Sequence, residues 1–558
     1  MDKLRFIAIS GTIDVTENLY VYEYVPEKGP AELIVVDCGV GFPEEAAFGV
    51  DLVVPDFSYL VKNKEKIKGV FISHAHEDHF GALPFLLDQL PDVSIYSAKL
   101  VAGFIEDKLV DYGIRGKKVN IIDPEGAPTT VGSFIVDAFR ITHSVPDSLG
   151  FCISTPIGRF FHVPDYKFDW TPVDGKPFDV AKASTLAKGG VIAMASDSLG
   201  ATTEGYTMSE AELERNIGNI FKEAKGRIFV TTISSNISRM QQVIDIAKAQ
   251  GRKVILVGRS IEKKVAIARE LGNIRYDDKD VIPDRSAKSL PPEKVVYIIS
   301  GCYGQIGSAL YRIATDDHKF LKIQPNDMVV FSADPAPPGT HFSTNYVVDS
   351  LIERGAEVHY YDTQEDLHVS GHGSQNDIHM LLALVKPKYL IPVGGTIRHN
   401  RAYNALAQKM GWKKEETLEL RHGDVMEFTR EGKVKPGEHV PVKSLLVDGL
   451  GLGDVGEVVL SDRKTLAREG VAIVVFQVDK ESGVLVGQPE IISRGFVFVK
   501  ENKQFLERAA TAVANEIRAK QKKKDSRDAK VKAVEFLERF FFDETGRRPM
   551  ILPVVVEV

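Results

Sequence analysis

The stretch FISHAHEDHFGALPFLL, residues 71–87, constrains the fold more than any other part of the sequence. It places three histidines, a glutamate and an aspartate in the six positions from His74 to His79, between two apolar runs. Burying so many polar groups without a partner would be costly, so the pattern predicts a metal site at the end of a buried strand. His74 and His76 are two residues apart, where an extended backbone directs both side chains the same way. Together with Asp78 and His79 they are enough for parts of two adjacent Zn²⁺ or Mn²⁺ sites.

A change of periodicity along the 558 residues divides the chain into parts. Strand and turn patterns dominate residues 1–207, and a regular alternation of strands and helices over residues 208–364 is typical of an inserted parallel α/β domain. Residues 365–429 return to polar segments that follow strands. Residues 430–444 are predicted to be a linker, and residues 445–558 to be a compact C-terminal α/β domain.

Composition and termini exclude several classes of protein. The three cysteines are widely separated, so neither a disulfide framework nor a cysteine zinc site is predicted. The N-terminus has no apolar signal core, and no apolar run approaches the ~20 residues of a membrane span, which predicts a cytoplasmic protein without a membrane partner. The net charge of -7 argues against a basic coat over the whole chain but allows a local basic groove.

A metal site of this kind needs further ligands from distant parts of the chain. His143 in RITHSVPDS and Asp165 in HVPDYKFD each follow a strand pattern, and the carboxylate of Asp165 could bridge two cations. A lone histidine after a strand is more often structural, but the unfilled coordination sites favour the ligand interpretation here.

These segments resemble the ribonuclease J family, which belongs to the β-CASP branch of the metallo-β-lactamase fold. The resemblance covers nearly the whole chain and includes SHAHEDHFGALPFLL, HSVPDSLG, PDYKFD, HVSGHGSQ, DGLGLGDVGEVVLSDRK, IISRGFVFV and RRPMILPVVVEV. The last four favour ribonuclease J over other metallo-β-lactamase proteins. The resemblance implies an α/β protein, with a metallo-β-lactamase αββα sandwich, an inserted β-CASP α/β domain and a small C-terminal α/β domain.

The resemblance also implies roles for individual residues. Asp37 would orient the histidine loop, Asp197 would orient the attacking water, and His372 would protonate the leaving oxygen. Asp78 would serve both as a ligand and in catalysis. The implied ligands of one metal ion are His74, His76 and His143, those of the other are Asp78 and His79, and Asp165 would bridge the two ions.

A substrate-binding region is implied in the same way. The segment that would grip the scissile phosphate comprises His368, Val369, Ser370, Gly371 and His372. The candidate phosphate contacts of the insert are Ser235, Asn236, Arg239, Arg259 and Ser260. For each of these five residues, helix capping or salt bridging explains the pattern about as well as a phosphate contact does. Lys167 and Arg398 are further candidates for a basic lining.

One position departs from the family pattern. Ribonuclease J relatives carry a P-x-H-G-E-x-R-like motif whose histidine completes the second metal site, but this sequence reads IPVGGTIRHN. Gly394 stands at the position of that histidine and Thr396 at that of the glutamate. Water could take the place of the missing nitrogen, His399 could move in, or the site could bind a single ion.

The activity that the resemblance implies is hydrolysis of RNA in maturation and decay, both internally and from the 5′ end of monophosphorylated single strands. Two divalent ions, Zn²⁺ or Mn²⁺, would be the cofactors, and a homodimer or homotetramer would form through the C-terminal domain. Three alternatives stay open. They are a small-molecule hydrolase, a 5′-exonuclease on single-stranded DNA, which Gly394 favours, and a catalytically weak RNA-binding paralogue.

Overall fold

A computed structural model of the chain describes residues 2–43, 49–287, 289–333, 340–449, 451–452, 457–482, 484–497, 503–520 and 526–558. The chain divides into two units. The first combines Met1–Phe42 with Leu52–Leu445, and the second combines Pro43–Asp51 with Leu446–Val558. The first unit contains the metallo-β-lactamase and inserted parts predicted from the sequence.

Short apolar segments up to residue 207 form most of the strands of two sheets, because alternate side chains can enter a shared core. Along the chain the strands are β1 (Lys3–Ala8), β2 (Tyr20–Val25), β3 (Glu32–Val36), β4 (Leu52–Val54), which lies outside these two sheets, β5 (Ile67–Ile72), β6 (Ile95–Ser97), β7 (Asn120–Ile121), β8 (Thr129–Val131), β9 (Phe134–Arg140), β10 (Leu149–Thr155), β11 (Gly158–Val163) and β12 (Ala193–Asp197). The helices are α1 (Ser58–Lys62), α2 (Glu77–Phe80), α3 (Leu83–Gln89), α4 (Lys99–Asp111) and α5 (Val180–Ala187).

The insert is a parallel sheet with helices between its strands, as its alternating pattern predicts. Its elements are α6 (Glu210–Glu223), β13 (Ile228–Thr231), α7 (Ile237–Ala249), β14 (Lys253–Val257), α8 (Arg259–Leu271), α9 (Asp284–Ala287), β15 (Val295–Ile299), α10 (Ala309–Ala314), β16 (Met328–Phe331), α11 (His341–Glu353) and β17 (Glu357–His359). The strand order is β14-β15-β13-β16-β17, and all neighbouring pairs are parallel.

The chain then returns to the first two sheets. The returning elements are α12 (Gln375–Val385), β18 (Tyr389–Val393), α13 (Ile397–Lys409), β19 (Val425–Thr429) and β20 (Val434–Pro436). One sheet has the order β20-β19-β1-β2-β3-β5-β6-β7 and the other β18-β12-β11-β10-β9-β8. The ring centroids of Phe71 and Phe151 lie 6.1 Å apart, and those of Phe160 and Phe428 5.3 Å apart, so aromatic side chains join the facing sheets. Helices α5, α12 and α13 pack on the six-stranded sheet.

The segment 430–444 differs from its sequence interpretation as a linker. Strand β20 pairs antiparallel with β19, with Met426 opposite Pro436. Val440 N donates to Gly423 O at 2.8 Å, and Ser444 Oγ donates to Glu17 Oε2 at 2.9 Å. These contacts make the segment an ordered part of the first unit rather than a free linker.

The second unit has its own core. Its elements are β21 (Leu445–Asp448), β22 (Gly451–Leu452), α14 (Glu457–Glu469), β23 (Val471–Val478), β24 (Leu485–Arg494), α15 (Lys503–Lys520), α16 (Ser526–Thr545) and β25 (Met550–Glu557). Helices α15 and α16 pack against the sheet β24-β23-β25. Parts of the DGLGLGDVGEVVLSDRK and IISRGFVFV segments lie outside the described residues. In the described part of the chain, no helix has the length and apolar character needed to cross a membrane.

Candidate metal centre

The predicted site residues lie where strands of both large sheets end. Asp37 follows β3, the histidine loop follows β5, Asp165 follows β11, Asp197 ends β12 and Gly394 follows β18. Strand β3 is parallel to β5, and β11, β12 and β18 are mutually parallel. Carboxyl ends of parallel strands meet at one edge of a sheet, so residues far apart in sequence converge there.

Three histidine rings converge on one point. His76 Nδ1 lies 3.2 Å from His74 Nε2 and 3.0 Å from His143 Nε2. Asp165 Oδ2 lies 3.6 Å from Nε2 of both His74 and His143. Burial lowers the pKa of His74 and His76 well below its ordinary value, and lowers the pKa of His143 to about 4. Neutral rings with converging nitrogen atoms and a carboxylate oxygen suit a divalent cation.

The outer nitrogen of each ring is already engaged. His143 Nδ1 donates to Gly371 O at 2.8 Å, and His76 Nε2 lies 3.0 Å from Ser144 Oγ. Bonds of this kind fix the ring and leave the other nitrogen for a metal ion. Gly371 is required for the approach, because a Cβ at this position would lie 2.4 Å from His143 Cε1.

Asp37 holds the histidine loop without belonging to a ligand cluster among the described residues. Its carboxylate accepts hydrogen bonds from Ser73 N and Ser73 Oγ, both at 2.8 Å, and lies 2.7 Å from His79 Nδ1. Ser73 Oγ lies 3.0 Å from His74 Nδ1. This is the orienting geometry that the sequence resemblance implied for Asp37, and it directs Nε2 of both histidines inward.

A second ligand cluster contains Asp78, His79 and Asp165, whose ligand atoms lie within 4.8 Å of one another. His79 Nε2 is 3.3 Å from Asp165 Oδ2 and 3.6 Å from Asp78 Oδ2. Gly394 borders this cluster, since a Cβ there would lie 3.7 Å from Asp165 Oδ1 and 3.5 Å from Asp197 Oδ1. The position therefore faces the centre and has space for the start of a side chain.

His399 does not take the place of the histidine ligand that is missing at Gly394 in this structure. It lies in the first turn of α13, where its Nδ1 accepts from Thr396 N at 3.2 Å. Its Nε2 lies 3.3 Å from Arg398 Nε. His399 is thus held at the helix start through Nδ1, and it belongs to no ligand cluster among the described residues. In this structure His399 is therefore part of the helix start and not of a ligand cluster, and its replacement of the missing ligand stays a prediction.

His372 and Asp197 form a pair at the edge of the centre. His372 Nδ1 lies 2.7 Å from Asp197 Oδ2, and its Nε2 lies 3.9 Å from Asp165 Oδ2. The backbone N–H of His372 donates to Ser370 Oγ at 3.0 Å. The segment that the sequence assigned to the scissile phosphate therefore reaches the centre through Gly371 and His372. At its start His368 is half-buried and Val369 is buried.

Comparison with known proteins shows which family the chain belongs to. The chain matches family models for the metallo-beta-lactamase superfamily (residues 14–188), the ribonuclease J beta-CASP domain (225–351), the Zn-dependent metallo-hydrolase RNA specificity domain (356–415) and the ribonuclease J C-terminal domain (458–558). It is 36% identical over 560 residues to Ribonuclease J2 of Bacillus subtilis, which covers 100% of this chain and 99% of the relative. The chain belongs to the ribonuclease J family.

Other similar proteins agree with this assignment. Ribonuclease J of Thermus thermophilus is 37% identical over 564 residues, covering 100% of this chain and 96% of the relative. A crystal structure of a protein of unknown function from Enterococcus faecalis shares the fold, with a TM-score of 0.50, 16% identity, and coverage of 71% of this chain and 94% of that one. The family and the fold class predicted from the sequence are confirmed.

Two cations expected at the ribonuclease J substrate surface are buried instead. Arg239 is fully buried, and its Nη2 lies 2.9 Å from Glu210 Oε2. Lys167 Nζ lies 3.0 Å from Glu210 Oε1. Burial raises the pKa of Glu210, but the two positive charges outweigh it and bring the pKa to about 2. Because Arg239 is paired in the interior, the structure favours salt bridging over a phosphate contact for it, and Lys167, a candidate for the basic lining, is buried in the same network.

The other candidate phosphate contacts lie in two places. Ser235 and Asn236 are buried before α7, and Asn236 Oδ1 caps this helix by accepting from Arg239 N at 2.9 Å. Arg259 and Ser260 begin α8 and line a cavity of about 470 Å³. This second pair lines a sizeable cavity, so Arg259 and Ser260 remain candidates for a phosphate contact.

Two residues at the metal centre were not identified from the sequence. Asn18 Nδ2 donates to Asp78 O at 3.1 Å and lies 3.1 Å from His79 Nε2. Nothing in the surrounding DVTENLYVY marks it, because it reaches the loop only through the fold. Ser144 directly follows His143, and a hydroxyl next to a suspected ligand could have indicated its role.

Substituting Gly394 tests the gap in the second cluster. We expect Gly394→His to tighten binding of the second ion about tenfold, because the new side chain would start beside Asp165. Gly394 has φ of +67°, a conformation that histidine adopts more readily than most residues. Equilibrium titration with Mn²⁺ measures the effect. Gly394→Ala is the control for backbone strain alone, and equal affinities of the two variants would contradict the assignment of this position.

Proposed function

We propose that this protein is a metal-dependent ribonuclease that hydrolyses RNA phosphodiester bonds, both internally and from 5′-monophosphorylated ends. The observation that carries the proposal is that Asp165 belongs to all three potential ligand clusters of the described residues, the third of which it forms with the Asp197–His372 pair. Membership of the ribonuclease J family and the match to an RNA specificity domain support RNA as the substrate.

The donor sets fit two transition-metal ions. His74, His76 and His143 would hold one of them, Asp78 and His79 the other, and Asp165 would contact both. Zn²⁺ and Mn²⁺ both accept imidazole and carboxylate ligands. When bound, the ions would activate the attacking water and offset negative charge on the phosphate. We expect the second ion to bind more weakly, because Gly394 offers no side-chain ligand.

The remaining steps belong to side chains of the protein. Asp197 accepts a hydrogen bond from His372 Nδ1, which stabilises the protonated ring and fixes its orientation. The proton on His372 Nε2 can then pass to the leaving oxygen. Arg259 and Ser260, at the start of α8, supply donors suited to the 5′-phosphate. A bound monophosphate would set the strand register for removal of one nucleotide at a time.

We also propose a cytoplasmic protein that assembles through its C-terminal unit. On β25 the side chains of Leu552, Val554 and Val556 are 43%, 42% and 43% exposed, and they alternate along one face of the strand. An exposed apolar row of this kind is typical of a protein interface. A second copy of this chain is the proposed occupant, and sedimentation at several concentrations distinguishes a dimer or tetramer from a monomer.

A single cleavage assay tests the proposed activity. The protein is incubated with 5′-monophosphorylated single-stranded RNA, 5′-triphosphorylated RNA and the matching DNA, each with Mn²⁺, Mg²⁺ or Zn²⁺. We expect mononucleotides from the first substrate and much slower release from the second. Preferential digestion of DNA would instead support the 5′-exonuclease on DNA that Gly394 favours. Binding of RNA without cleavage would indicate a weakly catalytic paralogue.

A further inference from the structure

Glu77 lies in the middle of the metal-binding loop but in none of the three potential ligand clusters of the described residues. The inner side of the loop is held by backbone hydrogen bonds to the segment after β3. Cys38 N donates to His79 O at 2.7 Å, and Val40 N donates to Glu77 O at 3.0 Å. These bonds position the main chain of the loop but do not involve the Glu77 carboxylate.

The Glu77 carboxylate contacts two lysines on the outer side of the loop. Its Oε2 lies 2.6 Å from Lys108 Nζ, and its Oε1 lies 3.8 Å from Lys264 Nζ. Both lysine side chains are mostly buried, at 17% and 14% exposure. Lys108 is on α4 of the metallo-β-lactamase part, whereas Lys264 is on α8 of the insert. One carboxylate therefore links the loop to both parts of the first unit.

Helices α4 and α8 are in close contact around this link. A Cβ on Gly103 would lie 2.8 Å from Ile267 Cγ2, so the two helices approach too closely for a larger residue there. A second ion pair crosses the same interface, with Lys263 Nζ 2.7 Å from Asp111 Oδ1. Lys263 and Lys264 are neighbours on one helix, but only Lys264 contacts the metal-binding loop.

We propose that Glu77 is a positioning residue, which through Lys108 and Lys264 holds the Asp78–His79 half of the metal centre against the insert. The inference rests on the proposed metal centre. This half lacks a side-chain ligand at Gly394, so its affinity depends strongly on how accurately Asp78 and His79 are placed. Helix α8 also begins with Arg259 and Ser260, and the Glu77–Lys264 contact therefore joins the proposed phosphate contacts to the metal ligands through one rigid element.

Three variants separate this role from general stability. Glu77→Gln removes the charge with little change of shape, Lys264→Met removes the partner on the insert, and Lys263→Met is the matched control in the same interface. We expect the first two to weaken binding of the second Mn²⁺ about tenfold in competition with a chelator. We also expect faster hydrogen–deuterium exchange of residues 73–82 in the metal-free protein. The control should change neither measurement, although its melting temperature can fall slightly.

Neither measurement requires RNA, so failure of the proposed nuclease activity and failure of this inference are distinguishable. In a double-mutant cycle, the effects of Glu77→Gln and Lys264→Met should be less than additive, because each removes the same contact. If activity is present, kcat should fall more than KM rises. Unchanged metal affinity and loop exchange in both variants, or equal effects in Lys263→Met, would overturn the proposal.

Discussion

Asp165→Asn is expected to lower ribonuclease activity by about three orders of magnitude and to reduce metal content from the two ions that we propose to at most one. The physical reason is the position of a single oxygen. Asp165 Oδ2 lies 3.3 Å from Nε2 of His79, 3.6 Å from Nε2 of both His74 and His143, and 3.9 Å from Nε2 of His372. An uncharged amide cannot balance two cations at this point.

The measurements for Asp165→Asn are kcat/KM on monophosphorylated RNA and metal content after dialysis. Asp179→Asn is the control, because Asp179 caps α5 by accepting from Lys182 N at 2.9 Å, and asparagine caps helices equally well. This control should retain both ions and full activity. An Asp165→Asn protein that keeps two ions and activity within tenfold of the original would contradict the bridging role.

Arg239→Met is expected to destabilise the first unit by about 3–5 kcal/mol. Its guanidinium is fully buried, pairs with Glu210, donates from Nε to Gln242 Oε1 at 2.8 Å and contacts Ser332 Oγ. Removing the cation leaves the buried Glu210 carboxylate with Lys167 as its remaining close cationic partner. The loss should appear as a lower midpoint of urea unfolding for the transition of this unit.

An exposed arginine on α6 supplies the control for Arg239→Met. Arg215 Nη2 lies 3.6 Å from Glu212 Oε1, with side chains 69% and 50% exposed, so Arg215→Met should change stability by less than about 0.5 kcal/mol.

The stability that the ionised Glu210 carboxylate contributes is complete above its ordinary pKa of about 4.3 and is lost as the pH falls toward its folded pKa of about 2. The cost of Arg239→Met should therefore shrink over that range. A cost below about 1 kcal/mol at pH 7 would contradict the buried-pair interpretation.

The sequence alone determined the chemistry of the centre. Metal ligands are few in kind, and their crowding in HAHEDH, with His143 and Asp165 at later strand ends, restricts the outcome to a metal site. The alternation of strand and helix patterns predicted the inserted α/β domain in the same way, because the amphipathic periodicity of the helical segments separates short apolar runs that read as strands. The missing ligand at Gly394 could be identified only through the family resemblance, because the family motif has a histidine at this position.

Tertiary structure decided where ambiguous polar side chains point. Arg239 could face a phosphate or a buried carboxylate, and only the packing of α6 against α7 brings Glu210 to it. Asn18 contacts His79, which is 61 residues later in the chain. His399 is held by a hydrogen bond at the start of α13, and part of residues 430–444 forms a strand that pairs with β19. A charged or amide side chain carries no local signal of its partner, because that partner is supplied by chain folding rather than by sequence neighbours.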